Sequence, residues 1–401
     1  MDNYILFKNK NFRRLYYSKL ISIFGNLMFK MIILYHVYEK TNSIKSVGMT
    51  FILIGLPNLL FGPIAGYLLD KYDKKVFLFL SEFINGLLIF FLIFITDKVL
   101  FFTIIFLNSV ASIFYGPGIN SYLLHIVDKD KLAEANAITS LTTRISSVLA
   151  PTITAILVIL FNINIIFILN SISYFISAAI ILTLPGAKHS DNFDLSLWTG
   201  LKEGFLYIRS SVLHKYIILT GFFVSAVIAT NNTLIVMYSK KVYMNGIRAY
   251  GILTTCLSVG MLMGSILFTM KLKNRSDKFR LFVITLIIIA ILMMIFPFIT
   301  NLMIACIVRI VIGINLYIYF ILVVIIIQSI TKIKYIGRVN SLNQVVNNTS
   351  VICFVPIVIL ITDFFGYKLP FVVFGSLLLL VAVFLLFFNK LNTNAEFQNV
   401  S

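Results

Sequence analysis

Gly66-Tyr67-Leu68-Leu69-Asp70-Lys71-Tyr72-Asp73-Lys74-Lys75 stands between two long apolar stretches, and its reading decides the fold. A charged segment this short cannot cross a bilayer, so it lies at a membrane surface and joins two spanning helices. Asp70 closes the first of them, and the lysines that follow mark the cytoplasmic side. The composition on either side agrees. Of 401 residues, 60% are hydrophobic and 12% charged, and the mean hydropathy is +0.99. Soluble domains are about 45–50% apolar and about 25% charged, so much of this chain faces lipid. A hydrocarbon core about 30 Å thick takes roughly 20 apolar residues per helix. The apolar runs are continuous rather than alternating, which excludes a β-barrel. The sequence predicts an all-α polytopic membrane protein.

Twelve spans are expected, at approximately 16–38, 46–69, 76–96, 99–124, 135–160, 165–184, 215–238, 247–271, 279–300, 303–330, 338–361 and 370–389. Their connections are short except at 185–214, which opens on Pro185-Gly186 and divides the chain six plus six. The expected organisation is an N-terminal half over 1–184, a cytoplasmic linker over 185–214, and a second half over 215–401 ending in a short cytoplasmic tail. Within the linker, Leu195 to Ile208 is amphipathic, carries the only tryptophan, Trp198, and suits a helix lying on the membrane face. Gly62 and Gly66 in the second span are echoed by Gly260 and Gly264 in the eighth. Such pairs let helix backbones approach closely. They are also common in membrane helices at large, so a repeat and a coincidence are equally supported.

The net charge of +18 is distributed by topology. About 23 of the 33 Lys and Arg residues fall in the N-terminal segment and alternate connections, about 7 in the other connections, and about 3 inside spans. This asymmetry places both termini in the cytoplasm and argues against a nucleic-acid surface, where basic residues cluster on one solvated face. Cys256, Cys306 and Cys353 lie in predicted spans and suggest neither a disulfide framework nor a metal site. The basic N-terminus leads into an apolar stretch without a small-residue cleavage site, which reads as a first span rather than a removed signal. No phosphate-binding Gly-rich loop, zinc-hydrolase helix or nucleophile elbow occurs. Neither an ATP motor, an enzyme nor a cofactor site is therefore expected. Richness in Ile, Lys, Asn and Phe hints at a bacterial gene.

The pattern Gly-x-Leu-x-Asp-x-x-Asp-Lys-Lys over 66–75 resembles the helix 2–3 loop signature of the major facilitator superfamily. Further segments resemble its macrolide-efflux and enterobactin-exporter branch. They are Phe12-Arg13-Arg14-Leu15, Ser22 to Asn26, Tyr115-Gly116-Pro117-Gly118, Leu132 to Asn136 and Gly337-Arg338-Val339-Asn340-Ser341. The resemblance implies a major facilitator fold of two six-helix halves. It also implies a conformational latch built from Gly66, Asp70, Asp73, Lys74 and Lys75. In the family the carboxylate at the place of Asp70 meets a helix start in the other half, an anion against a helix N-terminus. Two departures bear on mechanism. Asn26 stands where the branch often has an acid. Ala150-Pro151-Thr152-Ile153-Thr154 lacks the glycines of the antiporter motif but keeps Pro151, so a bent fifth span is expected.

Four charges fall inside the predicted spans: Lys30, Glu82, Arg144 and Arg309. Each needs a partner, a wet cavity or a function. Glu82 and Arg144 lie at similar depth, so they are expected either as a static ion pair or as a proton-coupling pair that breaks during transport. Lys30 lies one turn after Asn26 and can share its face. It is either a cavity cation or a snorkelling lysine. Asn120, Asn231 and Arg309 complete the candidate cavity residues. His36 reads as an interfacial histidine.

The resemblance implies secondary transport by alternating access, expected as proton-driven export of a bulky amphiphile: a macrolide-like drug, a peptide antibiotic or a siderophore. The rivals are uptake or lysophospholipid flipping on the same fold, and a non-transporting immunity or scaffold protein. The expected partners are a small-molecule or peptide substrate, the lipid bilayer of a bacterial cell membrane, and protons as coupling ion, with the chain a monomer and no nucleic acid involved.

Overall fold

The computed structural model describes residues 4–187, 205–209, 211–244, 246–273, 277–332 and 335–391. The side chains of Asp70 and Arg144 lie outside the described residues, as does most of the segment expected as an amphipathic linker helix, Trp198 included. Among the described residues the regular structure is entirely helical, and twelve helices are long and apolar enough to span a membrane. The chain forms two compact units, residues 1–194 and 195–401.

Polar residues between the apolar runs start the helices. Asn9, Ser43, Asp73, Asp97, Ser211 and Asn301 each accept a backbone N–H of the helix that follows. Such caps are worth about 1 kcal/mol each and answer donors that the first turn leaves open. Asp73 is the cap of the third span, Lys74–Leu92, with its Oδ1 2.9 Å from the Lys75 amide.

The fourth span differs from the continuous helix expected. It is two helices, Lys98–Ser112 and Tyr115–Ile126. Pro117 supplies the reason: it has no N–H to give the carbonyl of Ile113, and its ring crowds that carbonyl. The Ser81 hydroxyl donates to the Ala111 carbonyl at 2.7 Å, giving a carbonyl at the edge of the break a partner. Pro151, by contrast, sits within an uninterrupted helix, Leu132–Leu160.

In the first unit, Gly25 of the first span lies against Ser173 and Asn170 of the sixth, and Gly86 of the third lies against the ring of Phe175. In the second unit, Gly260 and Gly264 of the eighth span press on the backbone of Ile310 and Ile314 in the tenth, and Gly313 presses back on Leu257 and Met261. The two glycine pairs that echo in sequence are therefore not equivalent. A Cβ on Gly66 would meet nothing within 4 Å, and one on Gly62 only the Asn58 side chain. Only the second pair brings two backbones together.

Each unit also holds its end of the connecting segment. Tyr122 donates to the Pro185 carbonyl at 2.6 Å, and the Ala187 amide donates to Asp73 Oδ1 at 3.1 Å. In the second unit, the Tyr207 hydroxyl accepts the Lys332 amide at 3.1 Å, Tyr207 stacks on Tyr335, and His214 Nε2 bonds Thr331 Oγ1 at 2.8 Å.

Because the atom facing Gly260 is a backbone oxygen, Gly260→Ala must push two helices apart. A loss of about 1–3 kcal/mol is expected, as for other overpacked interiors. It is read as an earlier loss of the monodisperse peak when detergent-solubilised protein is heated before size-exclusion chromatography. Gly66→Ala should leave that temperature unchanged.

Candidate functional site

The third span buries Lys74, Leu78, Ser81, Glu82, Asn85, Gly86, Ile89 and Leu92, one helical face with polar residues at its middle. Glu82 is 1% exposed. Its Oε1 accepts the Ser22 hydroxyl of the first span at 3.0 Å, and its Oε2 has no hydrogen-bond partner. No described cation pairs with it. The expected partner, Arg144, has its side chain outside the described residues. The other acids in spanning helices, Glu39, Asp70, Glu134 and Asp363, stand within three residues of a helix end. Glu82 is thus the acid placed deep within a span, where a bare charge costs several kcal/mol.

Glu82 borders a cavity of about 330 Å³ inside the first unit. The first span contributes Ser22, Asn26, Phe29 and Lys30, and the second contributes Asn58. From the third come Glu82 and Asn85, from the fourth Asn108, Ser112 and Tyr115, and from the sixth Tyr174. Lys30 stands in the middle of a spanning helix and lines this cavity. The break in the fourth span forms part of the wall, through Ile113, Gly116 and Pro117. Asn108 donates to Asn85 Oδ1 at 2.8 Å, Asn85 donates to Ser112 Oγ at 3.0 Å, and Ser112 donates to the Asn108 carbonyl at 2.8 Å. This closed set fixes the amide orientations on one wall and ties the third span to the fourth.

Of the residues expected from the sequence, Asn26, Lys30 and Glu82 meet at this cavity. Asn120 is exposed and does not border it. Asn231 and Arg309 belong to the second unit and are joined to each other. Arg309 is 2% exposed, donates through Nε to the Leu253 carbonyl at 3.1 Å, and bonds Asn231 Oδ1 through Nη1. That guanidinium binds the seventh, eighth and tenth spans. In the helix 2–3 loop, Asp73 caps its own helix and holds Ala187, while Lys74 is only 6% exposed. His36, expected at the interface, is buried between the rings of Phe101 and Phe167.

Asn85, Asn108, Ser112 and Tyr174 were not singled out by sequence, and Tyr115 stood out only as part of the segment 115–118 and not as a cavity residue. A signal existed for three of them: Asn85 lies one turn after Glu82, and Asn108 and Ser112 are one turn apart. The cavity offers a carboxyl, an amine, several amides and aromatic walls. That set suits hydrogen bonding to the polar part of a ligand. Among the described residues no three His, Cys, Asp or Glu side chains converge as a metal site would need.

A sequence profile described as transmembrane secretion effector matches residues 2–400. The MFS-type transporter YfiS of Bacillus subtilis is 24% identical over 56% of this chain and 54% of its own length. The chain thus spans about half of that relative. Macrolide efflux protein A of Streptococcus pyogenes is 24% identical over 67% of this chain and 68% of its own. Among solved structures, the nucleoside transporter NupG superposes with a TM-score of 0.75 at 13% identity, covering 94% of this chain and 99% of that one.

Truncating the acceptor of a buried guanidinium separates a structural node from a ligand contact. Asn231→Ala should cost about 1.5–3 kcal/mol of stability, the worth of a hydrogen bond to a charged group. The double change Asn231→Ala with Arg309→Met should recover most of it. Both are read as thermal midpoints of the purified protein.

Proposed function

This chain belongs to the transmembrane secretion effector family, making it a membrane transporter of the major facilitator type, and from that premise we propose that it exports a bulky amphiphile using the proton gradient. The observation that carries the reading is the cavity around Glu82. Family and fold are those of transporters, which are not enzymes. A cavity of about 330 Å³ is at the small end of ligand pockets, roughly 300–1,000 Å³. It has room for the polar end of a large amphiphile and not for the whole molecule. Lys30, Asn26 and the Asn85–Asn108 pair would receive that end.

Glu82 is the proposed proton carrier. A carboxyl whose access to water changes during a transport cycle exchanges a proton as it does so. Its unpartnered Oε2 can accept that proton without breaking the Ser22 bond to Oε1. With Asn26 in place of an acid, this one carboxyl would serve the first half. The latch role of Asp70, a cell-membrane location with both termini cytoplasmic, a monomeric state and a macrolide-like, peptide or siderophore cargo belong to the same reading. The macrolide efflux relative supports the direction and the cargo class.

The test is accumulation of a labelled amphiphile panel in cells expressing the chain, with and without a protonophore. Lower accumulation that the protonophore reverses is expected for at least one compound. Glu82→Gln, which keeps shape and the Ser22 contact, should bring accumulation back to the vector level with protein abundance unchanged. Asp70→Asn should lower transport without affecting membrane insertion.

A further inference from the structure

The seam between the eighth and tenth spans carries two thiols. Gly260 packs on Ile310 and Gly264 on Ile314, so the two helices run parallel and face each other at an offset of 50 residues, turn after turn. One turn earlier the same offset pairs Cys256 with Cys306, and the two thiols lie within electrostatic reach of each other. Backbones that touch one turn away bring the pair toward the short Cα separations, about 4.4–6.8 Å, that a disulfide bridges. Both cysteines are partly exposed, so a small oxidant can reach them, whereas Cys353 is exposed on the eleventh span. The Arg309 guanidinium lies within electrostatic reach of both sulfurs.

We propose that Cys256 and Cys306 form a modification site, at which a peroxide-class oxidant converts the dithiol to an intramolecular disulfide that clamps the eighth span to the tenth. One thiolate attacks a peroxide oxygen, the O–O bond breaks, and the sulfur becomes a sulfenic acid as the first water leaves. The second thiol attacks that sulfur, the S–S bond forms, the S–O bond breaks, and a second water leaves. Two thiols lose two electrons and two protons, and hydrogen peroxide takes them up. The clamp fixes the segment in which Arg309 holds the Leu253 carbonyl. The site does not depend on what is transported or in which direction.

The test uses the full-length protein in membranes. It is treated with hydrogen peroxide, quenched with catalase, dissolved in SDS and labelled with a polyethylene-glycol maleimide that counts thiols. The reduced chain carries three adducts, one per cysteine. After peroxide a single adduct is expected, on Cys353, with dithiothreitol restoring all three. Cys256→Ser and Cys306→Ser should each lose at most one of their two adducts, because the remaining thiol can reach the sulfenic acid but has no partner with which to close a disulfide. Should either fail to accumulate, Cys353→Ser, which leaves the pair intact, should lose both of its adducts reversibly. Three adducts persisting after peroxide, thiol loss that dithiothreitol does not reverse, or a disulfide through Cys353 would overturn the assignment.

Discussion

In hydrocarbon there is no water to answer an open peptide group, and every feature of this chain follows from that constraint. Among the described residues, helices satisfy it by construction along nearly all of the twelve spans. Where the chain departs from a regular helix, a side chain stands in. Ser81 bonds the carbonyl of Ala111 beside the interruption made by Pro117. Other hydroxyls fold back onto their own helix, as Thr50 does to Ser46 and Ser225 to Gly221, and so answer their own donors.

The same constraint explains why the polar residues of the first unit gather in one place. The amides of Asn85 and Asn108 and the hydroxyl of Ser112 satisfy one another, and the irregular backbone at the fourth span lines the cavity beside them. Irregular backbone and polar side chains are tolerated at membrane depth where they border a cavity or other protein. Glu82 stands apart there as a buried carboxyl, half of which is left without a partner. In the second unit the buried charge is handled oppositely. Arg309 is sealed by an amide and a carbonyl and serves as a joint.

The fold was legible because hydropathy and the loop at 66–75 are properties of local sequence. The break in the fourth span was legible in principle from Pro117, but its apolar run overrode the proline when the spans were read by length. Asn26, Lys30 and Glu82 stood out because a charge or a lost acid inside a span is conspicuous. Asn85, Asn108 and Tyr174 did not, since an amide or a phenol on an apolar helix looks the same whether it faces lipid, a neighbour or a cavity. The pairing of Asn231 with Arg309 joins residues 78 apart in sequence, and no spacing rule reaches across that distance. Likewise, Gly62–Gly66 and Gly260–Gly264 read identically, and only three-dimensional neighbours distinguish an open groove from a tight seam.

The fastenings at Pro185, Ala187, Thr331 and Lys332 work like the strain relief on a cable. A pull on the segment between the units is taken up first by Tyr122 and Asp73 on one side and by Tyr207 on the other, while His214 pins the first turn of the seventh span to Thr331. It does not fall on the last turn of the sixth span or the first turn of the seventh. Each bundle can therefore be tugged by its own tether without having a helix end unwound. The ten-residue loop that reveals the fold is also one of the anchors that lets the connector bear load.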